Sequence, residues 1–103
     1  MKLIQTLSER IEEEIKDAKW YIQEALLLKD EYPDVSRVMY NISTQEVDHM
    51  NMLHDAVVMI IKEYRATKGE PPSTMMAVYE YLHKKQIERY GDVRNLIEAY
   101  KNS

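Results

Sequence analysis

The apolar residues of this chain recur with the three- and four-residue spacing of an α-helix, and they do so in three long stretches. No run of β-branched residues alternates with polar ones, and no Asn-Gly or Asp-Gly hairpin turn occurs. The apolar faces contain Leu7, Ile11, Ala18, Tyr21, Ala25 and Leu28 in the first stretch, Val35, Met39, Ile42, Leu53, Ala56 and Ile60 in the second, and Met76, Tyr79, His83, Tyr90, Val93, Ile97 and Tyr100 in the third.

Proline and glycine mark the ends of these stretches. Pro33 interrupts the first pattern and pushes the preceding residue away from helical geometry, and Gly69 is placed to end a helix just before two prolines. The pattern predicts helices near 2–31, 34–67 and 73–101 in a single all-α domain over 1–103. Short connections favour a long antiparallel hairpin plus a third helix. Since three helices leave one side of a four-helix bundle open, we expect a homodimer or a higher homo-oligomer.

Composition excludes several classes of function. Fourteen basic and eighteen acidic residues give a net charge of −4, which argues against nucleic-acid binding by general basicity. The absence of cysteine excludes disulfides, thiolate metal sites and thiol catalysis. The longest apolar run, 56–61, is far shorter than the roughly 20 residues that cross a membrane. The first residues lack the apolar region of a signal peptide, so we expect a cytoplasmic location.

Three ionisable residues stand where the spacing calls for apolar ones. Continuing the apolar pattern places Glu14 on the core face of the first helix, and Glu46 and His49 on that of the second. An unpaired charge is expensive to bury, so these residues should be paired, neutralised or bound to a cation. Residues three apart on a helix are neighbours, which lets Glu46 and His49 converge on one ion. Carboxylate and imidazole ligands without sulfur favour iron or manganese.

The segments around these residues resemble the metal-binding helices of ferritin-like and rubrerythrin-like proteins. The stretch 14–21 resembles the first metal helix, with a ligand Glu14, a small residue one turn on and Tyr21 seven positions further. The stretch 45–53 resembles the Glu-x-x-His helix through Glu46 and His49. The likeness covers about the first two-thirds of the chain. It implies a ferritin-like bundle, a di-iron or manganese cofactor and Glu46 as a catalytic bridging ligand. Tyr21 would then hydrogen-bond a metal carboxylate or serve as an electron relay, and its simpler interpretation is a core residue with a polar tip.

A full ferritin-like bundle has four helices and a second Glu-x-x-His, and this chain departs from that pattern. Glu80 and His83 form a second Glu-x-x-His, although Glu80 falls beside the apolar stripe. Two assemblies could supply the ligands that a four-helix bundle would provide. Either two chains each contribute Glu14, Glu46 and His49, as short encapsulated ferritins do, or Glu80 and His83 complete a site within one chain. We favour the first.

Simpler interpretations stand beside these. Glu14 lies in a run of three glutamates that would suit a solvated face, and Glu46 and His49 would also suit a hydrogen-bonded pair without metal. His54 is expected to point away from the other candidates, and His83 is more typical of a core histidine than of a ligand.

The resemblance implies ferrous oxidation by oxygen or peroxide, and two other classes of function stay open. One is a non-enzymatic interaction or assembly module on a ferritin-like scaffold. The other is a protein that stores or senses metal without turnover.

Overall fold

The computed structural model describes residues 2–103, which form three α-helices with short connections and contain no strand. Helix α1 spans Lys2–Leu28, α2 spans Pro33–Lys68 and α3 spans Ser73–Lys101. The predicted all-α class and the number of helices are therefore confirmed. The largest difference in bounds is at the end of α1, which stops three residues before the predicted position.

Local chemistry explains both connections. Tyr32 is extended (φ −132°, ψ 67°) and Pro33 begins α2, so residues 29–32 must form the turn after α1. Gly69 has a φ of 87°, a left-handed value that glycine adopts without strain, and this ends α2 before the two prolines. Helix α3 continues through Gly91 without interruption.

Helix α1 is the centre of the molecule, because its backbone runs close to both α2 and α3. The molecule is elongated, measuring 56 × 19 × 18 Å. The buried residues form one apolar cluster along α1, made up of Ile4, Ile11, Ile15, Ala18, Ile22 and Ala25 of α1, Met50, Val57 and Ile61 of α2, and Val93 and Ile97 of α3. None of the helices within 2–103 has an apolar stretch sufficient to span a membrane.

Small residues set the contact between α1 and α2. The Ser43 hydroxyl donates a hydrogen bond to the Ala18 carbonyl oxygen at 2.7 Å, and the Ser36 hydroxyl donates to the carbonyl oxygen of Ala25. All four residues are buried. From the Ser36–Ala25 bond to the Ser43–Ala18 bond, the residue number rises by seven on α2 and falls by seven on α1. The two helices are therefore antiparallel along this contact.

This contact corrects the predicted core face of α2. The buried positions are Ser36, Ser43, Met50, Val57 and Ile61, which lie one residue after the predicted stripe, whereas the predicted Met39, Leu53 and Ile60 are only half-buried against the core. Val35, predicted to be in the core, is 44% exposed. The shift arises because the serines, although polar, are small enough to lie where α1 and α2 approach most closely. Their hydroxyl groups donate hydrogen bonds to carbonyl oxygens of α1.

Helix α3 has a thinner buried face than the other two. Val93 and Ile97 are buried as predicted, whereas Tyr79 and Tyr90 are only half-buried. Gln86 is buried although glutamine is usually exposed. Its amide nitrogen donates a hydrogen bond to the Ser8 carbonyl oxygen at 3.2 Å.

The backbones of α2 and α3 stay apart over most of their length, and long side chains bridge them. The rings of Tyr40 and Tyr100 stack with centroids 4.6 Å apart, and those of His54 and His83 stack at 4.7 Å. At the end of α3, the Lys29 ammonium group donates to the Tyr100 carbonyl oxygen at 2.9 Å and so caps the helix.

Candidate metal centre

The α1–α2 contact brings Glu14, Glu46 and His49 together. The imidazole Nδ1 of His49 lies 3.8 Å from Glu14 Oε2 and 4.0 Å from Glu46 Oε2. One potential ligand atom from each of the three residues lies within 4.8 Å of the others. Among residues 2–103, no other group of three or more carboxylates and imidazoles has its ligand atoms within reach of a single metal ion.

Exposure increases across the cluster. The side chain of Glu14 is 11% exposed, that of Glu46 is 19% exposed and that of His49 is 55% exposed. The prediction that His49 occupies a core position is therefore wrong. Met50 takes the buried position on that turn of α2, and this places His49 at the edge of the helix contact, where more than half of its side chain is exposed.

Glu14 is the unusual member of the cluster. Its Oε2 is buried and has no hydrogen-bond partner among residues 2–103. Its other oxygen lies 3.8 Å from the Arg10 guanidinium Nε, one turn earlier on α1. The interpretation of Glu14 as part of a solvated face is therefore wrong. A buried oxygen without a partner carries a desolvation penalty of about 1–3 kcal/mol, more when it is charged, so its retention calls for an explanation.

The separations in the cluster are longer than hydrogen bonds. The 4.0 Å between His49 Nδ1 and Glu46 Oε2 exceeds the usual N–H···O range, so these two residues do not form the hydrogen-bonded pair considered above. Atoms that bind one ion at about 2.1 Å lie roughly 3–4 Å apart. The separations of 3.8 and 4.0 Å lie at the upper end of that range and the three atoms lie within 4.8 Å of one another, so the group could hold a metal ion after the side chains move slightly closer.

The structure does not bring Glu80 and His83 to this cluster. Glu80 is exposed on α3, and the ring of His83 stacks on Tyr79 and His54. The alternative in which α3 completes the site within one chain is therefore not formed.

Tyr21 lies two helical turns from Glu14, which corresponds to about 10 Å along α1. It is half-buried, and its ring meets that of Trp20 edge-on with centroids 5.1 Å apart. Its role as an electron relay stays a prediction.

Sequence reasoning missed the contact between His54 and His83, whose Nε2 atoms lie 2.9 Å apart. His83 lies on the predicted face of α3, but His54 was expected to point elsewhere. The available signal was the spacing of Met50, His54, Val57 and Ile61, which continues the buried face of α2.

Comparison of the chain with protein-family models, with curated proteins and with solved structures gave no match. The likeness to ferritin-like proteins therefore depends on residues 14–21 and 45–53 alone.

Proposed function

We propose that Glu14, Glu46 and His49 bind iron or manganese, and that the chain is a small ferritin-like protein that oxidises ferrous iron. One observation carries the proposal: Glu14 Oε2 is buried without a hydrogen-bond partner and lies 3.8 Å from the imidazole of His49. A bound cation would give this oxygen its missing partner.

The charges of the three side chains support a divalent ion. Two carboxylates and a neutral imidazole carry a total charge of −2, which a single divalent cation neutralises. Carboxylate oxygens favour hard ions and imidazole suits iron, so the mixed set fits Fe²⁺ or Mn²⁺ better than a thiophilic metal. In this role Glu14 and Glu46 supply anionic ligands, and His49 supplies a neutral nitrogen.

We further propose that two copies of the chain complete the site. Val35, Val38, Met52 and Met59 are exposed apolar residues of α2, in two pairs separated along the helix by polar residues, and each is between 44% and 68% exposed. His49 lies one turn before Met52. A second copy related by a two-fold axis would cover these residues and place two clusters side by side. The resulting ferritin-like bundle would offer four carboxylates and two imidazoles to two metal ions.

Ferrous iron is the substrate in this proposal. Each Fe²⁺ gives up one electron, so two ions and two protons reduce dioxygen to hydrogen peroxide. Glu14 and Glu46 favour the more highly charged Fe³⁺ because they are anionic and largely shielded from water. The exposed side of His49 leaves a route by which the oxidant reaches the cluster.

The exposed apolar residues also favour the second candidate, a non-enzymatic interaction module. Trp20 and Leu27 lie on α1 away from the cluster and are 53% and 76% exposed. In that case the apolar surfaces bind a partner protein and the cluster carries out no turnover.

Substitution of the central ligand tests the proposal. Glu46→Ala should weaken anaerobic Fe²⁺ and Mn²⁺ binding by at least about 100-fold, because even the outer partners of metal ligands are worth roughly 10- to 100-fold. Glu13→Ala is the matched control, since Glu13 is exposed on α1 beside the cluster and is absent from its ligand set. Titration calorimetry gives the affinities, and melting temperatures with and without metal give the stabilisation.

The same samples distinguish the two candidates. The proposed function requires that metal raise the melting temperature of the wild type, that the Glu46→Ala protein lose this effect, and that the wild type consume ferrous iron in air. Sedimentation should give a dimer. Metal that never stabilises the wild type would contradict the metal site, and stoichiometric binding without ferrous oxidation would contradict the enzyme.

A further inference from the structure

A second pair of potential ligands lies between α2 and α3. The rings of His54 on α2 and His83 on α3 stack with an interplanar angle of 20°, and their Nε2 atoms lie 2.9 Å apart. The two nitrogens share one hydrogen bond, in which one Nε2–H donates to the lone pair of the other. The ring of Tyr79 stacks on the outer side of His83 at 5.6 Å. The two imidazoles are thus held with equivalent nitrogens facing each other.

Both histidines line a cavity of about 150 Å³ between the helices. The rest of its lining combines the polar Asn51 and Gln86 with the mainly apolar Ile11, Met50, Ile87 and Tyr90. The amide nitrogen of Gln86 is committed to the Ser8 carbonyl, so the amide oxygen is the acceptor that remains. The cavity is large enough for an ion with one or more waters, since a water occupies about 30 Å³ in the liquid.

We propose that His54 and His83 form a second metal-binding site, which takes a borderline divalent ion such as Zn²⁺ through both Nε2 atoms. Two nitrogens bound to a tetrahedral zinc at 2.0–2.1 Å lie about 3.3 Å apart. A separation of 2.9 Å therefore needs only a small outward movement of the rings. Water and the polar groups of the cavity supply the remaining ligands.

The protonation state of the pair suits this role. Burial, and then the neighbouring His54, lower the pKa of His83 below its ordinary value of 6.5. A neutral imidazole is the form that binds metal. On binding, the ring that carries its proton on Nε2 transfers it to Nδ1, so both Nε2 lone pairs face the ion.

The ion would fasten α3 to α2, whose backbones otherwise stay apart. This inference is independent of the ferroxidase proposal, because it uses different residues and a different pair of helices.

The experiment uses the full chain carrying His49→Gln. The sequence contains three histidines, so this variant retains only His54 and His83. Zn²⁺ is titrated by calorimetry, and the ring nitrogens are followed by ¹H–¹⁵N NMR. We expect stoichiometric binding, with both Nε2 signals moving to metal-bound values and both rings in the Nδ1–H form. Adding His54→Gln or His83→Gln should each weaken binding by at least about tenfold, since even outer partners of ligands matter that much.

Glu80→Gln in the same background is the control, because it removes the carboxylate three residues before His83 and should leave the affinity unchanged. Equal weakening by Glu80→Gln and His83→Gln would overturn the proposal in favour of a site on α3 alone. Nε2 signals that keep their unbound values at saturating Zn²⁺ would overturn it in favour of a plain hydrogen bond. The NMR readout uses unsubstituted histidines at 54 and 83, so it decides the question even if a glutamine variant fails to fold.

Discussion

The contact between α1 and α2 and the contact between α2 and α3 join helices in opposite ways. Between α1 and α2, small buried residues let the backbones approach until Ser43 donates a hydrogen bond directly to the Ala18 carbonyl at 2.7 Å. Between α2 and α3, the backbones stay apart and pairs of rings bridge the gap, such as Tyr40 with Tyr100 at 4.6 Å. The first contact is close and buries its small residues, whereas the second leaves a cavity.

This difference matters for the two candidate sites. The cluster of Glu14, Glu46 and His49 spans the close contact, so the positions of its ligands are fixed by backbones that cannot separate without loss of core packing. The pair of His54 and His83 spans the open contact, where ring positions depend on side-chain stacking. We therefore expect the cluster to be rigid before metal binds, and the pair to adjust on binding.

The largest effect should come from enlarging a residue in the close contact. Ala18 is 1% exposed and its carbonyl accepts the Ser43 hydrogen bond, so Ala18→Leu would force α1 and α2 apart. We expect a loss of about 3 kcal/mol in the free energy of unfolding, at the upper end of what overpacking usually causes. Urea unfolding followed by circular dichroism measures it.

Two matched leucine substitutions test whether the α1–α2 and α2–α3 contacts differ in how closely they are packed. Gln23→Leu places the same side chain on an exposed position of α1, and Asn51→Leu places it at the cavity between α2 and α3. Each should change stability by less than about 1 kcal/mol. A loss with Asn51→Leu as large as that with Ala18→Leu would mean that the two contacts are equally close.

The general architecture could be predicted because its signals are local. Pro33 fixes where α2 begins, Gly69 with its positive φ fixes where it ends, and helical periodicity gives the rest. The face of α2 could not be assigned correctly in this way. Ser36 and Ser43 were left off the predicted face because they are polar, but they are small, fully buried and hydrogen-bonded to α1 carbonyl oxygens.

The two candidate sites differ in how far the sequence alone predicts them. Glu14, Glu46 and His49 were identified together because a charge in an apolar stripe is conspicuous, although the exposure of His49 was not foreseen. The pair of His54 and His83 was missed because the predicted face of α2 lay one residue away from the buried one, which turned His54 away from α3.

A smaller effect, opposite in sign, should come from the charge buried in the close contact. Glu14→Met replaces a buried carboxylate, one oxygen of which has no partner, with an apolar side chain of similar size. Replacing buried charges in this way is often stabilising. We expect the metal-free protein to gain about 1–2 kcal/mol and metal binding to be lost. Chemical unfolding in the presence of a chelator, together with calorimetric metal titration, measures both.

Glu13→Met is the control for this prediction, because it introduces the same side chain at an exposed neighbouring position. It should leave both stability and metal binding nearly unchanged. If Glu14→Met destabilised the metal-free protein while Glu13→Met did not, Glu14 would be a structural residue of the contact rather than a ligand retained at the expense of stability.

The smallest effect concerns the open contact and its dependence on pH. Burial and the neighbouring His54 lower the pKa of His83 in the folded chain, so the unfolded chain takes up this proton first as the pH falls. The contribution of neutral His83 to the free energy of unfolding is therefore fully present above the unfolded pKa of about 6.5, and it decreases as the pH falls from there toward the lower folded value. Tyr79, stacked on His83, stays neutral throughout, because the ordinary pKa of tyrosine, 10.0, already lies above this range and burial raises the pKa of Tyr79 further. Solvent reaches the pair, so the effect should be less than about 1 kcal/mol.

Urea unfolding of the metal-free protein between pH 8 and about 5 should show this decrease in the wild type and in the exposed-site control His49→Gln, and a flatter profile in His83→Gln. An unchanged profile in His83→Gln would mean that the pair contributes nothing to holding α3 on α2.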